Sequence, residues 1–169
     1  MNKRQLGDPV DLPGSPFDRL TPVDPSYATL PVDQGFNWTE CLAGVDQGRW
    51  YLVAFRSRRR PGADEDRLLA HDEQAFREAE ARTTGLLRYF RGGLDQDRNC
   101  LSLCVWDRRR HAKRASELPS HRVASALTYE MYLWYRVERF MLVKRAGSLE
   151  PELMLVGTSP VMAGQAPSA

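Results

Sequence analysis

Apolar residues recur along the chain with two spacings, which together predict four strands and two helices. The segment 50–57, WYLVAFRS, is apolar at most positions, which is typical of a strand buried on both faces. The segment 100–106 places Leu101, Leu103 and Val105 on one face, because successive side chains of a strand point to opposite faces. By the same criteria we predict strands at 86–91 and 135–144, and helices at 67–82 and 120–133.

The order of these elements, β-α-β-β-α-β, is that of a ferredoxin-like α+β domain. In that topology both helices cover one face of the sheet, and the second face keeps its apolar side chains uncovered. An apolar face of that size needs a cover. We predict a homodimer that packs sheet to sheet. The alternative cover is the proline-rich N-terminal part of the same chain.

The chain divides into three predicted parts. Residues 1–35 contain six of the eleven prolines, which interrupt helices and strand ladders, so we predict an extended proline-rich arm there. An arm that is disordered throughout is the alternative. The ferredoxin-like α+β domain is predicted over 36–156. The segment 157–169 is predicted to be a disordered tail, because its residues are small and polar.

Composition and charge restrict the classes of function. The net charge of +2 is too small to indicate a polyanionic partner by itself. No run of about eighteen apolar residues is present, so we predict no membrane span. The N-terminus lacks the apolar core of a signal peptide, so we expect a cytoplasmic protein. Cys41, Cys100 and Cys104 suit a reducing compartment, and no spacing of His or Cys predicts a metal site.

Two arginine-rich runs, 56–60 and 108–114, follow the first and third predicted strands. We expect these strands to be parallel neighbours, which would bring both runs to one edge of the sheet as a positive patch. Such a patch could bind a phosphate, a carboxylate or an acidic carrier protein, and a solvated surface is the alternative. We do not expect nucleic acid, because 100–106 lacks the glycine-containing aromatic motif of RNA-recognition modules that share this topology.

One side of the predicted helix 120–133 is polar but uncharged. At about 100° per residue, His121, Ser125, Thr128 and Tyr132 form one stripe, with Tyr129 at its edge. A histidine transfers protons near neutral pH, and a tyrosine donates a hydrogen bond to a developing oxyanion. His121, Tyr129 and Tyr132 are therefore the candidate catalytic residues. The alternative is a histidine at the start of a helix and tyrosines on the surface.

Aromatic and polar residues of the strands can line the same pocket. We predict that Tyr89, Arg91 and Trp106 bind the substrate, together with Ser125 of the helix. A pocket with aromatic walls and one or two proton carriers suits a flat or conjugated small molecule.

Three segments resemble a family of small bacterial and fungal proteins to which no activity is attached: WYLVAFRSRRRPGAD, LLRYFRGGLDQDRNCLSLCVW and HRVASALTYEMYLWYRVERFMLVKR. In element order and in its aliphatic first and third strands, 50–144 resembles the dimeric α/β-barrel superfamily, which includes antibiotic-biosynthesis monooxygenases and polyketide cyclases. The resemblance implies a cavity between sheet and helices in each subunit, and frequent cofactor-free chemistry. Some relatives bind haem through a helix histidine comparable to His121, but we expect no cofactor.

These features favour a cofactor-independent enzyme of specialised metabolism. It would catalyse the cyclisation, isomerisation or dehydration of a polyketide-like or otherwise unsaturated small molecule. His121 would act as acid or base, and Tyr129 or Tyr132 would polarise an oxygen. Two alternatives stay open: a cofactor-free monooxygenase, and a non-enzymatic dimeric protein whose arginine patch recruits an acidic partner.

Overall fold

The computed structural model of the chain describes residues 14–159 and 162–163. The strands are β1 Gly48–Arg59, β2 Leu86–Phe90, β3 Asn99–Trp106, β4 Tyr132–Lys144, β5 Glu152–Thr158 and β6 Met162–Ala163. The helices are α1 Val32–Gly35, α2 Trp38–Cys41, α3 Glu65–Arg82, α4 Arg109–Ser116, α5 Pro119–Ala126 and α6 Thr128–Met131. None of the helices within these described ranges is long and apolar enough to cross a membrane.

The sheet has the order β2-β3-β1-β4-β5, and every pairing of its described strands is antiparallel. Helix α3 connects β1 to β2, and helices α4 to α6 connect β3 to β4, so β1 and β3 lie at the centre. This arrangement confirms the predicted ferredoxin-like α+β fold. Strand β5 continues the sheet beyond β4, and the short β6 pairs with β4 as well. No strand is predicted at either position from the sequence pattern.

The helix predicted at 120–133 is shorter than expected. It consists of α5 and the single-turn α6, and the backbone is already extended at Tyr132, where β4 begins. The residues from Tyr132 onwards are rich in aromatic and β-branched side chains, which favour a strand. They pair with β1 from the Tyr132–Arg59 pair to the Lys144–Gly48 pair, so the strand gains the length that the helix loses.

The two arginine-rich runs lie at opposite ends of the sheet, and the prediction of a single positive patch is wrong. Strands β1 and β3 are antiparallel neighbours, with Arg58 opposite Asn99 and Tyr51 opposite Trp106. These two pairs are seven residues apart along β1, which corresponds to about 23 Å. The crossover through α3 makes β1 and β2 parallel, and β3 is antiparallel to both because it forms a hairpin with β2.

The face of the sheet opposite the long helices is covered by the chain's own N-terminal segment, residues 14–42. Phe17 is fully buried, and its ring packs edge-on against Trp50 of β1 at 5.2 Å between centroids. The remaining apolar contacts between segment and sheet form one buried cluster: Leu20, Ala28, Val32, Phe36, Trp38, Cys41 and Leu42 with Leu52, Ala54, Phe90, Leu101, Leu103, Val105 and Leu142. A second copy of the chain therefore cannot pack on this part of the sheet while the segment occupies it.

Buried polar contacts fix the N-terminal segment to the sheet. Arg56 of β1 donates hydrogen bonds to the carbonyl oxygens of Ala28 at 2.8 Å and Leu30 at 2.5 Å, and its Nε donates to Glu138 of β4 at 2.9 Å. Lys144 donates to the carbonyl oxygen of Leu42 at 2.6 Å. A buried charge is tolerated when hydrogen bonds replace its hydration, and these contacts supply them.

The ends of the chain are described only in part. Residues 1–13 of the predicted arm and most of the predicted tail lie outside the described residues. The described part of the arm consists of turns, the helix α1 and one bridge between Pro22 and Phe36. At the other end, Gly157 and Thr158, assigned to the tail from the sequence, belong to β5.

Truncation of Phe17 tests whether the N-terminal segment packs on the sheet. We expect Phe17→Ala to lower the free energy of unfolding by about 3–5 kcal/mol, because it removes a fully buried ring and leaves a cavity beside Trp50. The matched control is Val23→Ala in the same segment, since Val23 is exposed and its truncation should cost less than about 0.5 kcal/mol. Chemical denaturation measures both, and equal effects of the two substitutions would contradict the packing of the segment on the sheet.

Candidate functional site

A cavity of about 790 Å³ lies between the helices and the face of the sheet that they cover. Its volume is in the range of small-molecule sites. The floor consists of alternate residues of β1 and β3 together with β2 and β4, and the walls come from α3, α4 and α5. The aromatic members of the lining are Tyr51, Phe55, Phe76, Tyr89, Trp106, Tyr132 and Tyr135.

The cavity exists because the two faces of β3 differ in side-chain size. The face toward the N-terminal segment has Leu101, Leu103 and Val105, which fill their side of the sheet. The face toward the helices has Cys100, Ser102 and Cys104 before Trp106, and these smaller side chains leave space. Above them, α5 buries none of its own residues completely, so it is not packed down onto the sheet.

Asp72 of α3 links the helix to the cavity floor. Its Oδ1 accepts a 2.5 Å hydrogen bond from the Tyr89 hydroxyl, and its Oδ2 accepts a 2.7 Å hydrogen bond from Nε of Arg91. The ring of Phe76 stacks on Tyr89 with 5.7 Å between centroids. Both carboxylate oxygens are thus used by two buried residues of the β2 region, which holds Tyr89 and Arg91 in one position.

His121 lies on the cavity wall near the start of α5. Its Nδ1 is 3.4 Å from the hydroxyl of Ser125, one helical turn further along. Burial lowers the pKa of His121 below its ordinary value of 6.5, while the negative charge of Asp72 acts in the opposite direction. The imidazole is therefore neutral at pH 7 and has a nitrogen able to accept a proton.

The tyrosines of the cavity are hydrogen-bond donors rather than bases. Burial raises the pKa of Tyr132 to about 12, although the charge of Arg59 partly opposes this shift. Burial also raises the pKa of Tyr89 and Tyr135 well above the ordinary value. The Cys104 thiol has its pKa raised by burial as well, so it is protonated and a poor nucleophile.

Six of the seven residues predicted for the site line this cavity: His121, Tyr132, Tyr89, Arg91, Trp106 and Ser125. Thr128, the remaining member of the polar stripe, lines it too. Tyr129 does not, because its side chain is 59% exposed and outside the lining, so we remove it from the candidate site. Tyr132 reaches the cavity as the first residue of β4 rather than from a helix.

Asp72 and Arg59 contact candidate site residues and line the cavity, but they were not assigned to the site from the sequence. Asp72 shares the buried side of α3 with Leu68, Ala75 and Ala79, and a carboxylate on an apolar helix face was the available signal. Arg59 was assigned to a surface patch, yet its side chain is buried and lines the cavity. Its burial depends on the length of β1, which extends two residues beyond the predicted strand end.

No group of three or more His, Cys, Asp or Glu side chains able to hold a metal ion occurs among the residues that the structure describes. The three cysteines are all unbridged.

Comparison with known proteins places the chain in a family. A sequence model described as PB2B2.08-like matches residues 10–154, and the chain belongs to that family. No curated protein matches the sequence.

Two solved structures illustrate the weaker similarities. A dimeric ferredoxin-like protein of unknown function from Thermobifida fusca is 17% identical, with 55% of this chain and 91% of that chain covered and a TM-score of 0.43. SnoaB, a cofactor-independent oxygenase from Streptomyces nogalater, is 15% identical, with 61% and 99% covered and a TM-score of 0.42.

Titration of His121 tests its environment without a substrate. We expect its imidazole resonances to titrate with a midpoint below 6.5, because burial disfavours the charged form. Asp72→Asn should lower the midpoint further, since it removes the charge that favours the imidazolium. NMR spectroscopy measures both midpoints, and His121→Gln assigns the signal.

The downward pKa shift of His121 also determines how the free energy of unfolding depends on pH. With the folded pKa below the unfolded one, the unfolded chain binds more protons just below pH 6.5, so His121 destabilises the fold as the pH falls through that window.

In the NMR titration, a midpoint of His121 above 6.5, or an increase of that midpoint on Asp72→Asn, would contradict the described position of His121.

Proposed function

We propose that this protein is a cofactor-independent enzyme that acts on an aromatic or conjugated small molecule in the cavity beneath α5. The observation that carries the proposal is the position of His121, a neutral base on the wall of a cavity with many aromatic side chains. A neutral imidazole on a cavity wall can take a proton from a substrate and return it, which is the task of a general acid–base catalyst. Dehydration, double-bond isomerisation and stepwise cyclisation of an unsaturated substrate use such a proton transfer, whereas a pericyclic cyclisation needs only the shape of the cavity.

The proton balance of the proposed reaction is simple. The neutral imidazole of His121 removes a proton from a carbon next to a carbonyl group, and the electron pair of the C–H bond moves to the carbonyl oxygen. The Tyr132 hydroxyl, which stays protonated, donates a hydrogen bond to that oxygen. The imidazolium then returns the proton to another carbon in an isomerisation, or to a departing hydroxyl group, as water, in a dehydration.

Of the two alternatives predicted from the sequence, the monooxygenase stays open and the recruitment of an acidic partner does not. A cofactor-free monooxygenase would use the same base to form an electron-rich anion that reacts with dioxygen, and product analysis distinguishes it. Recruitment of an acidic carrier protein through an arginine patch loses its basis, because the two runs lie about 23 Å apart along the sheet.

We also propose that the protein is a cytoplasmic homodimer. Unbridged cysteines suit a reducing compartment. Because the N-terminal segment occupies its face of the sheet, the second copy would use the outer edge at β5, where Met154, Leu155 and Val156 are exposed. Native mass spectrometry measures the assembly, and a monomer at micromolar concentration would remove the dimer from the proposal.

Product analysis tests the enzymatic proposal. The purified protein is incubated with a panel of polyketide-like and unsaturated aromatic compounds, and the products are separated and weighed by mass spectrometry. We expect a product of unchanged mass or one lighter by one water. We expect His121→Gln to reduce its rate of formation by about 100-fold or more, because the base is lost. The matched control is His111→Gln, since His111 lies outside the cavity lining and pairs with Asp107 at 2.6 Å.

The outcomes separate the alternatives. A product heavier by one oxygen atom, formed with consumption of dioxygen, identifies a monooxygenase. Full turnover by His121→Gln rules out the acid–base mechanism. No turnover of any compound, together with no retained small molecule in native mass spectrometry, would favour a non-enzymatic role.

A further inference from the structure

Arg59, the last residue of β1, is a buried cation on the cavity wall, and two of its three guanidinium nitrogens have no hydrogen-bond acceptor. Its side chain is 4% exposed, and its Nε and Nη1 atoms are buried without a hydrogen-bond acceptor. Nη1 lies 3.3 Å from a carboxylate oxygen of Glu65 but makes no hydrogen bond to it. Glu65 instead accepts a 3.1 Å hydrogen bond from Arg98. One carboxylate therefore faces two guanidinium groups, and one positive charge of this cluster is left uncompensated.

Arg88 and Arg136 also have buried guanidinium nitrogens without an acceptor, but neither lines the cavity, and Arg88 lies against the N-terminal segment at Leu20. Arg56 and Arg91 have acceptors within the protein. Each nitrogen of Arg56 donates to a protein oxygen, either the carboxylate of Glu138 or a carbonyl of the N-terminal segment. Arg91 donates its Nε to Asp72. Leaving a buried charged donor without an acceptor is costly, so an arginine such as Arg59 is expected to have a partner. The adjoining cavity has space for one that is not part of the chain.

The charge of the cavity indicates the sign of that partner. Among the described residues that line it, five carry a basic side chain and one carries a carboxylate: Arg59, Arg91, Lys113, Arg122 and Arg139 against Asp72. Lys113 and Arg122 are exposed on α4 and α5. A cavity with an excess of one charge concentrates ligands of the opposite charge.

We propose that the ligand of this cavity is an aromatic or conjugated carboxylate and that the guanidinium group of Arg59 binds its carboxylate. This inference rests on the proposed function, for which it names the substrate class. A guanidinium group matches the geometry of a carboxylate and forms strong charge-assisted hydrogen bonds with it. The guanidinium carbon of Arg59 lies 6.0 Å from the centre of the Tyr132 ring, so a carboxylate bound there has an aromatic wall next to it. The unsaturated part of the ligand then extends into the cavity toward His121.

Calorimetric titration with a matched pair of probes tests the charge requirement. The probes are 2-naphthoate and 2-naphthamide, which share the ring system and nearly the same shape but differ in charge. We expect the wild-type protein to bind the carboxylate at least about tenfold more tightly than the amide, because a hydrogen bond to a charged group is stronger than its neutral counterpart. Arg59→Met should remove this preference while it leaves the affinity for the amide within about threefold.

Control variants separate a local effect from a general one. Arg77→Met removes a charge from α3 at a side chain that is 79% exposed, and it should leave both affinities unchanged. Arg59→Gln replaces Arg59→Met if the latter does not fold. If neither variant folds, the ratio of the two affinities in the wild-type protein still shows whether the cavity prefers a carboxylate to an amide.

Each outcome has one meaning. Equal affinities of the wild-type protein for the two probes would overturn the carboxylate inference and leave the enzymatic proposal standing. A preference for the carboxylate that persists in Arg59→Met would also overturn it, because another cation would then be responsible. Binding of neither probe would contradict both the inference and the proposed function.

Discussion

The fold depends on a central strand that is apolar on both faces. Alternate residues of β1 point to opposite sides, so Trp50, Leu52 and Ala54 need one cover while Tyr51 and Val53 need another. The N-terminal segment supplies the first cover and the long helices supply the second. The two covers pack differently, because aromatic side chains fill the first face, whereas small residues of β3 leave room under the second. The candidate site lies in the space that the second cover leaves.

The same alternation decides the chemistry of the buried arginines. Arg56 points to the N-terminal segment, where carbonyl oxygens and Glu138 take all of its hydrogen bonds, and it joins two parts of the fold. Arg59 follows a register irregularity between Arg58 and Arg59 and lines the cavity, where its guanidinium group is left with unused donors. Two arginines three positions apart thus differ in role because of the face each one reaches.

Much of the fold followed from local pattern. The alternation in 50–57 and 100–106 is enough to predict two-sided burial and the side of β3 that carries Leu101, Leu103 and Val105. His121, Ser125, Thr128 and Tyr132 of the polar stripe line the cavity and Tyr129 does not, while their role in catalysis or binding stays a prediction. The direction of β3 relative to β1 also follows from the predicted order, because a crossover keeps β2 parallel to β1 and a hairpin then reverses β3. The expectation of parallel neighbours did not apply that rule, so it placed the arginine runs together. Helix α4 was missed because only Ala112 and Ala115 are buried among its charged residues.

The N-terminal segment can complete its packing only late in the synthesis of the chain. The residues that hold it lie far along the chain. Lys144 binds the carbonyl oxygen of Leu42 across 102 residues, and Arg56, which binds the carbonyl oxygens of Ala28 and Leu30, is itself bound by Glu138, 82 residues further on. A ribosome therefore releases the aromatic residues of the segment long before it completes β4, which carries both Lys144 and Glu138. Until then the first cover has no complete sheet to bind, and its apolar residues stay available to other chains. The N-terminal segment is thus made before the strand that helps to hold it in place, and its packing is completed only after that strand has formed.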